Sequence, residues 1–295
     1  ETQQTNSNAS PAKMPLPIWY KLALGAILLL ALFLDFFQLG QQGYGNLYYA
    51  AAVKSMLLNW HNWFFVSFDP AGFVTVDKPP LGFWIQVLSA KLFGFSPLSL
   101  LLPQAIAGVL SVALLAHLVR RTFGPLAGLI AGLTLALTPI SVVPNRNNIV
   151  DSLLVLTVLL AAWAIIIATE TGRLRWLLLC AAIVGLGFNI KMLEVYLVLP
   201  AFALLYLLAA PLRWRTKIAP LALAAVVLLV ISLSWLVTVD LIPASQRPYV
   251  GSSGNNSEIS LAFGYNGLAR IFGFTGLQWN PNRSQRSHLS KTCSG

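Results

Sequence analysis

Charge is what this chain has least of. Asp, Glu, Lys and Arg make up 9% of its 295 residues, where soluble domains carry roughly 25%. Several apolar runs approach ~20 residues, the length that crosses a bilayer as helix. A soluble helical domain with such runs would leave far too much apolar surface in water, so that class is excluded. Cysteine is nearly absent. Of two, Cys180 lies inside an apolar run and Cys293 in a polar tail, so neither a disulfide framework nor a paired-cysteine metal site is implied. There is no P-loop and no dinucleotide fingerprint. No internal repeat recurs at a fixed period.

What remains is 57% hydrophobic, with a mean hydropathy of +0.73. The expected class is all-α: a polytopic membrane protein with about seven transmembrane helices, plus two interfacial helices in its first extracytoplasmic loop. The net charge of +10 does not indicate a nucleic-acid partner. Its basic residues fall in short clusters between apolar runs, the positive-inside pattern.

Residues 1–17 are polar and rich in Ser, Asn, Gln and Pro, a composition that predicts a disordered cytoplasmic N-terminus. The first span is expected over Ile18–Leu39 and reads as an anchor, with Lys13 and Lys21 placing its start inside. Asp35 near its outer end is either a carboxylate reaching the interface or a wall of a cavity. The loop that follows, 46–81, predicts one interfacial helix over Leu47–Trp60 and a second from Leu81 to near Gly94. On the second, Leu81, Trp84, Ile85, Leu88 and Leu92 share one face, with Gln86, Ser89 and Lys91 opposite. Further spans are expected over Leu98–Leu118, 125–137, 149–170, Trp176–Phe188, 192–208 and Ile218–Val239. Arg120-Arg121, Arg173 with Arg175, and Arg213 with Arg215 and Lys217 mark the inner loops.

With that orientation Asp35, Asp69, Asp77, Lys78, Arg146, Asp151, Lys191, Glu194 and Asp240 all gather toward the outer face. Ionisable groups at membrane depth are costly and mark function. Lys78 and Lys191 suit a phosphate or pyrophosphate as point charges, and Arg146 suits its oxygens as a fork. Asp77 or Asp151 can take a proton from a hydroxyl or bind a divalent cation. The alternative readings are an interfacial anchor for Lys78 and a first-turn acid facing the helix dipole for Asp151. His61 and His117 lack partners at metal-ligand spacing and read as structural. The inner loops are too short to hold a nucleotide sugar, so a donor carried by a lipid is expected.

Several motifs carry a resemblance. They are Tyr49 to Met56 (YAAAVKSM), Ser67-Phe68-Asp69-Pro70, Val76-Asp77-Lys78-Pro79-Pro80, Leu137-Thr138-Pro139, Asn145 to Asn148 with Asp151, Lys191-Met192-Leu193, Arg247 to Gly251 and Phe263 to Gly267. As a set they resemble the GT-C membrane glycosyltransferases of the protein O-mannosyltransferase and lipid A aminoarabinose transferase superfamily, bacterial mannosyltransferase-like branch. The resemblance implies inverting transfer of a hexose from a polyprenyl-phosphate donor to an extracytoplasmic acceptor (a glycan, lipid or protein) at the plasma membrane. A divalent metal is a possible cofactor that the spacing does not imply. Family members carry an Asp-Glu pair in the first loop where this chain has Asn46-Leu47, which moves the expected base to Asp77, with Asp151 second. Lys78 and Lys191 match the basic positions at the lipid phosphate. Arg146, Asn46, Tyr49 and Asp69 complete the expected substrate-binding set. The expected glycosyltransferase domain, 18–273, is an incomplete version of longer relatives, and 274–295 is a polar tail. A transporter or lipid-handling protein without chemistry is the competing class. It would place polar groups at the bilayer midplane on paired broken helices.

Overall fold

The computed structural model describes residues 17–268. The expected disordered N-terminus, the end of the domain beyond Leu268, and the polar tail lie outside the described residues. Among the described residues the chain is helical, and extended pairing is limited to two single bridges, Ser67 with Thr75 and Val74 with Tyr249.

The helices are α1 (Ile18–Phe36), α2 (Leu47–Met56), α3 (Trp60–Phe64), α4 (Leu81–Phe93), α5 (Pro97–Phe123), α6 (Pro125–Leu137), α7 (Pro139–Asn145), α8 (Asp151–Thr171), α9 (Leu174–Lys191), α10 (Leu199–Ala209), α11 (Trp214–Leu241) and a single turn α12 (Glu258–Ser260). A 3-10 segment, Met192–Val198, joins α9 to α10, and a π-helical segment, Leu261–Leu268, closes the described chain. Their boundaries follow local chemistry. Ser96 and Ser99 form a reciprocal capping box that starts α5, with Pro97 at the first helical position. Gly172 ends α8 in the left-handed region at φ 63°.

Five helical stretches are long and apolar enough to cross a membrane, or six if α6 and α7, bent by 61° at Thr138-Pro139, count as one. One of the five is the 36-residue stretch Leu174–Ala209. Extended as one rod it would measure about 54 Å. Instead a Cβ on Gly172 would sit 3.5 Å from Pro211, so the chain doubles back. The reversal falls at Met192, whose φ is 53°. The fifth and sixth expected spans are therefore its two arms, and counting them separately recovers the seven apolar segments.

Three expectations need correction. The interfacial helix expected over Leu47–Trp60 is two helices, because Asn59 accepts from the Asn62 N–H at 2.8 Å and caps a new one. The stretch between the spans expected over 125–137 and 149–170 is not all loop: it contains α7. On α4 the two faces do not sort by polarity: Lys91 is exposed and Leu81, Trp84 and Ile85 are half-buried. Gln86 and Ser89 are buried and donate to the Asn148 and Ser99 carbonyls at 2.8 and 2.5 Å, while Leu88 and Leu92 are exposed. Polar side chains that satisfy backbone carbonyls inside the protein leave Leu88 and Leu92 for the surroundings, where a bilayer would solvate them.

Contacts sort the two ends of the bundle. At one end, Arg121 pairs with Glu170, and Lys217 donates to the Leu207 carbonyl at 2.7 Å. At the other, the C-terminus of α1 meets Arg146, the start of α8 meets the end of α9, and the Trp235 indole of α11 donates to the Phe64 carbonyl at 3.0 Å. The loop from Gly45 to Pro80 sits at that second end.

Candidate active site

The loop is built to present Asp77 and Lys78. One carboxylate oxygen of Asp69 accepts from the Phe73 and Val74 N–H groups, both at 2.9 Å, and closes the turn that contains Gly72 at φ 73°. Beyond the turn, the Thr75 N–H donates to the Tyr249 carbonyl at 2.9 Å and the Val76 N–H to the Val66 carbonyl at 3.0 Å. The extended stretch so fixed delivers Asp77 and Lys78 just before Pro79-Pro80 and the start of α4.

Lys78 is 6% exposed. Its ammonium donates to Asp77 at 3.2 Å and to the Asn266 side-chain carbonyl at 2.8 Å. The Tyr49 hydroxyl donates to the other Asp77 oxygen at 3.4 Å. Asn266 also donates its amide to the Asp77 backbone carbonyl at 2.9 Å and to the Met192 sulfur at 3.2 Å. Burial, and then the neighbouring Asp77 carboxylate and Tyr265, push the Tyr48 phenol up to about 12.

Met192 follows Lys191, whose ammonium is paired with Asp151 and, at 2.8 Å, with Glu194. Asn266 thus links the Asp77–Lys78 cluster on the loop to Met192, the residue next to the Asp151–Lys191–Glu194 cluster at the junction of α8 and α9. Together the two clusters offer two cations to an anion and two half-buried aspartates as proton acceptors.

Residues 77–235, more than half the chain, match the family model described as dolichyl-phosphate-mannose-protein mannosyltransferase. The chain belongs to this family. It is 51% identical over 253 residues to the mannosyltransferase-like protein YycA of Bacillus subtilis, and 48% identical over 268 residues to YkcB of the same organism. Those alignments cover 86% and 90% of this chain but 37% of each relative, so the chain spans little more than a third of their length. A shorter match, 32% identity over 108 residues, covers 36% of this chain and 21% of the polyprenol-phosphate-mannose–protein mannosyltransferase of Mycobacterium tuberculosis. The fold resembles ArnT from Cupriavidus metallidurans, with a TM-score of 0.59 at 22% identity over 76% of this chain and 42% of that one. A multi-pass membrane protein of the mannosyltransferase family follows.

Within this family member, three residues expected at the substrate are occupied elsewhere. The Arg146 guanidinium donates to the Leu34 and Phe37 carbonyls at 2.6 and 2.8 Å and caps the C-terminus of α1. Asn46 caps α2, accepting from the Tyr48 and Tyr49 N–H groups at 3.0 and 3.3 Å, while Asn147 and Asn148 accept from its own N–H at 3.1 and 2.6 Å. Asp69 is the turn-closing carboxylate described above. Arg146 thus fastens the end of α1, and Asn46 and Asp69 fasten the loop. Tyr49, Asp77, Lys78, Asp151 and Lys191 are the expected residues that belong to the two clusters. Lys78 is too buried to be an interfacial anchor.

Asp35 neither reaches the interface nor stands exposed in a cavity wall. It is buried, and the Asn145 amide donates to both its oxygens at 3.2 and 3.1 Å. His61 lies against Asn62 and the Phe65 ring, and His117 against Arg120. Among the described residues no three His, Cys, Asp or Glu gather in a group that could hold a metal.

Two features were not foreseen. Asn266 was visible only as one letter of the Phe263–Gly267 motif, 188 residues from its partner Lys78. The second is a buried polar knot beyond α11. There Asp240 accepts from Arg247 at 2.7 Å, from the Ser257 hydroxyl at 2.6 Å and from the Glu258 and Ile259 N–H groups at 2.9 and 3.1 Å. Glu258 beside it is fully buried with neither carboxylate oxygen hydrogen-bonded. Burial first, then the Asp240 charge, raises its carboxyl to about 8, against a smaller opposing pull from Arg247.

Proposed function

We propose that this protein transfers a hexose from a polyprenyl-phosphate donor to a hydroxyl-bearing acceptor outside the cytosol, inverting the anomeric carbon. The N-terminus lies inside, and the two clusters face away from the cytosol at the plasma membrane. The observation that carries this reading is the link from a buried Asp77–Lys78 couple through Asn266 to Met192, next to Asp151–Lys191–Glu194, at one end of an apolar bundle.

The acceptor oxygen attacks the anomeric carbon and its proton passes to the Asp77 carboxylate. The bond from that carbon to the phosphate oxygen breaks, and the electron pair leaves with the lipid phosphate. Lys78 and Lys191 stand by the charge that develops there, at a site where low dielectric strengthens each interaction. Asp151, already ion-paired to Lys191, is the second candidate base. A divalent cation would need carboxylates released from these lysines, so no step is assigned to one.

Polar groups concentrated at the bundle end, together with the family, support chemistry over transport. The test is Asp77→Asn in the intact protein, assayed in membranes with a labelled polyprenyl-phosphate hexose. Loss of a general base predicts turnover lower by about 10²–10⁴-fold. Turnover unchanged in Asp77→Asn and lost in Asp151→Asn would move the base to Asp151. Unchanged turnover in both would remove the mechanism.

A further inference from the structure

Beside the Asp151–Lys191 pair, and lined in part by Asp151, lies a cavity to which the mechanism above assigns no ligand. It occupies about 350 Å³ between α5, the α6–α7 bend and the start of α8, at the small end of the range for ligand pockets, roughly 300–1,000 Å³. The 61° break at Thr138-Pro139 turns α7 away from the line of α6 and makes room for it.

Its lining is graded from mouth to floor. At the mouth, Ile140 is 81% exposed and Val155 43%. On the floor, Ser111, Asn145 and Ser152 are all buried, with Asp151 and Ser141 half-buried alongside. Gly108 is part of the same floor, and a side chain there would collide with Asn145 and Asp35. Asp35 holds the Asn145 amide nitrogen, which leaves the amide oxygen as the remaining acceptor. The Ser152 hydroxyl, 97% shielded, has no hydrogen-bond partner. A buried hydroxyl left so carries an uncompensated desolvation cost, and a ligand that restores the bond recovers it. The apolar mouth suits a molecule arriving from the bilayer. The polar floor suits one whose head carries several hydroxyls.

We propose that this cavity is a subsite for one pyranose ring, bound through its hydroxyls to Ser152, Asn145 and Asp151. The ring belongs either to the lipid-linked donor or to the acceptor. That assignment of sources rests on the transfer reading; occupancy by a sugar does not.

The experiment uses the intact protein in membranes with Ser141→Cys, a half-buried lining position, and Cys293→Ser elsewhere; Cys180 is buried. Alkylation of the introduced cysteine is timed with polyprenyl-phosphate hexose, with sugar-free polyprenyl phosphate and with methyl hexosides. Slowing by the donor, absent with sugar-free carrier, supports the subsite with the donor as source. Slowing by methyl hexosides alone supports it with the acceptor as source. Ser152→Ala should then weaken whichever protection is seen by about fivefold, the worth of one hydrogen bond. Equal slowing by donor and sugar-free carrier, no slowing by any probe, or indifference to Ser152→Ala would overturn the proposal. Protection without hexose transfer would leave the subsite standing while removing the transfer reading.

Discussion

Asn266 offers the sharpest test of how the site is held. Replacing it with Leu keeps the approximate volume and removes the amide. Three contacts go: the 2.8 Å bond from the Lys78 ammonium, the 2.9 Å bond to the Asp77 backbone carbonyl and the 3.2 Å contact to the Met192 sulfur. The first is charge-assisted and is worth about 1.5–3 kcal/mol. The second is an ordinary bond of about 1 kcal/mol, and the sulfur contact is weaker. If Asn266 acts by fixing Lys78, its loss should lower kcat/KM by about 10- to 100-fold. It should cost far less once Lys78 is already Met. The assay is a double-mutant cycle of Asn266→Leu with Lys78→Met, with transfer from the lipid-linked donor as the readout and thermal unfolding in detergent as control. A coupling of about 1.5 kcal/mol or more between the two sites is the expected result. Additivity within about 0.5 kcal/mol would refute the claim that the Lys78 bond is what Asn266 contributes.

Two further perturbations test the surrounding fold. In Gly108→Ala the new Cβ would lie 2.2 Å from the Asn145 amide nitrogen and 2.6 Å from an Asp35 oxygen. Overpacking there should cost about 1–3 kcal/mol, seen as a lowered Tm, and a Tm equal to the parent's would contradict the close approach. Glu258 concerns pH: its folded carboxyl titrates near 8, above its ordinary 4.5. The folded state therefore keeps a proton that the unfolded chain has released, so its stability is full below about pH 4.5 and falls as pH rises toward 8. Glu258→Gln removes that loss and should gain on the order of a few kcal/mol over the parent at pH 8, and little at pH 4.5. Parallel stability curves for the two proteins would contradict it.

Much of the architecture was legible because the period and length of apolar runs are local properties. The start of α8 at Asp151, the end of α4 before Gly94 and the break at Thr138-Pro139 all follow from residues within a turn of the boundary. The errors arose where a side chain chose between water, lipid and protein. Gln86 and Ser89 read as an outward polar face because the helical pattern cannot say which side of a membrane helix meets protein. Asn59 fell within the last turn of the expected Leu47–Trp60 helix, but its side chain caps a new helix.

The sequence alone set the class of protein, the order of its apolar segments and the two motifs, Asp77-Lys78 and Lys191-Met192, that carry charge to one end. It set these through composition and short-range pattern, which need no knowledge of what folds against what. Only the tertiary structure decided which charged residues meet. Arg146 had the right chemistry for a phosphate, but the carbonyls of α1 lay within its reach. Asn266, neutral and distant in sequence, became the link from the Asp77–Lys78 cluster to Met192. The Lys78–Asn266 bond and the grip of Arg146 on α1 join residues more than a hundred positions apart, and no local rule encodes them.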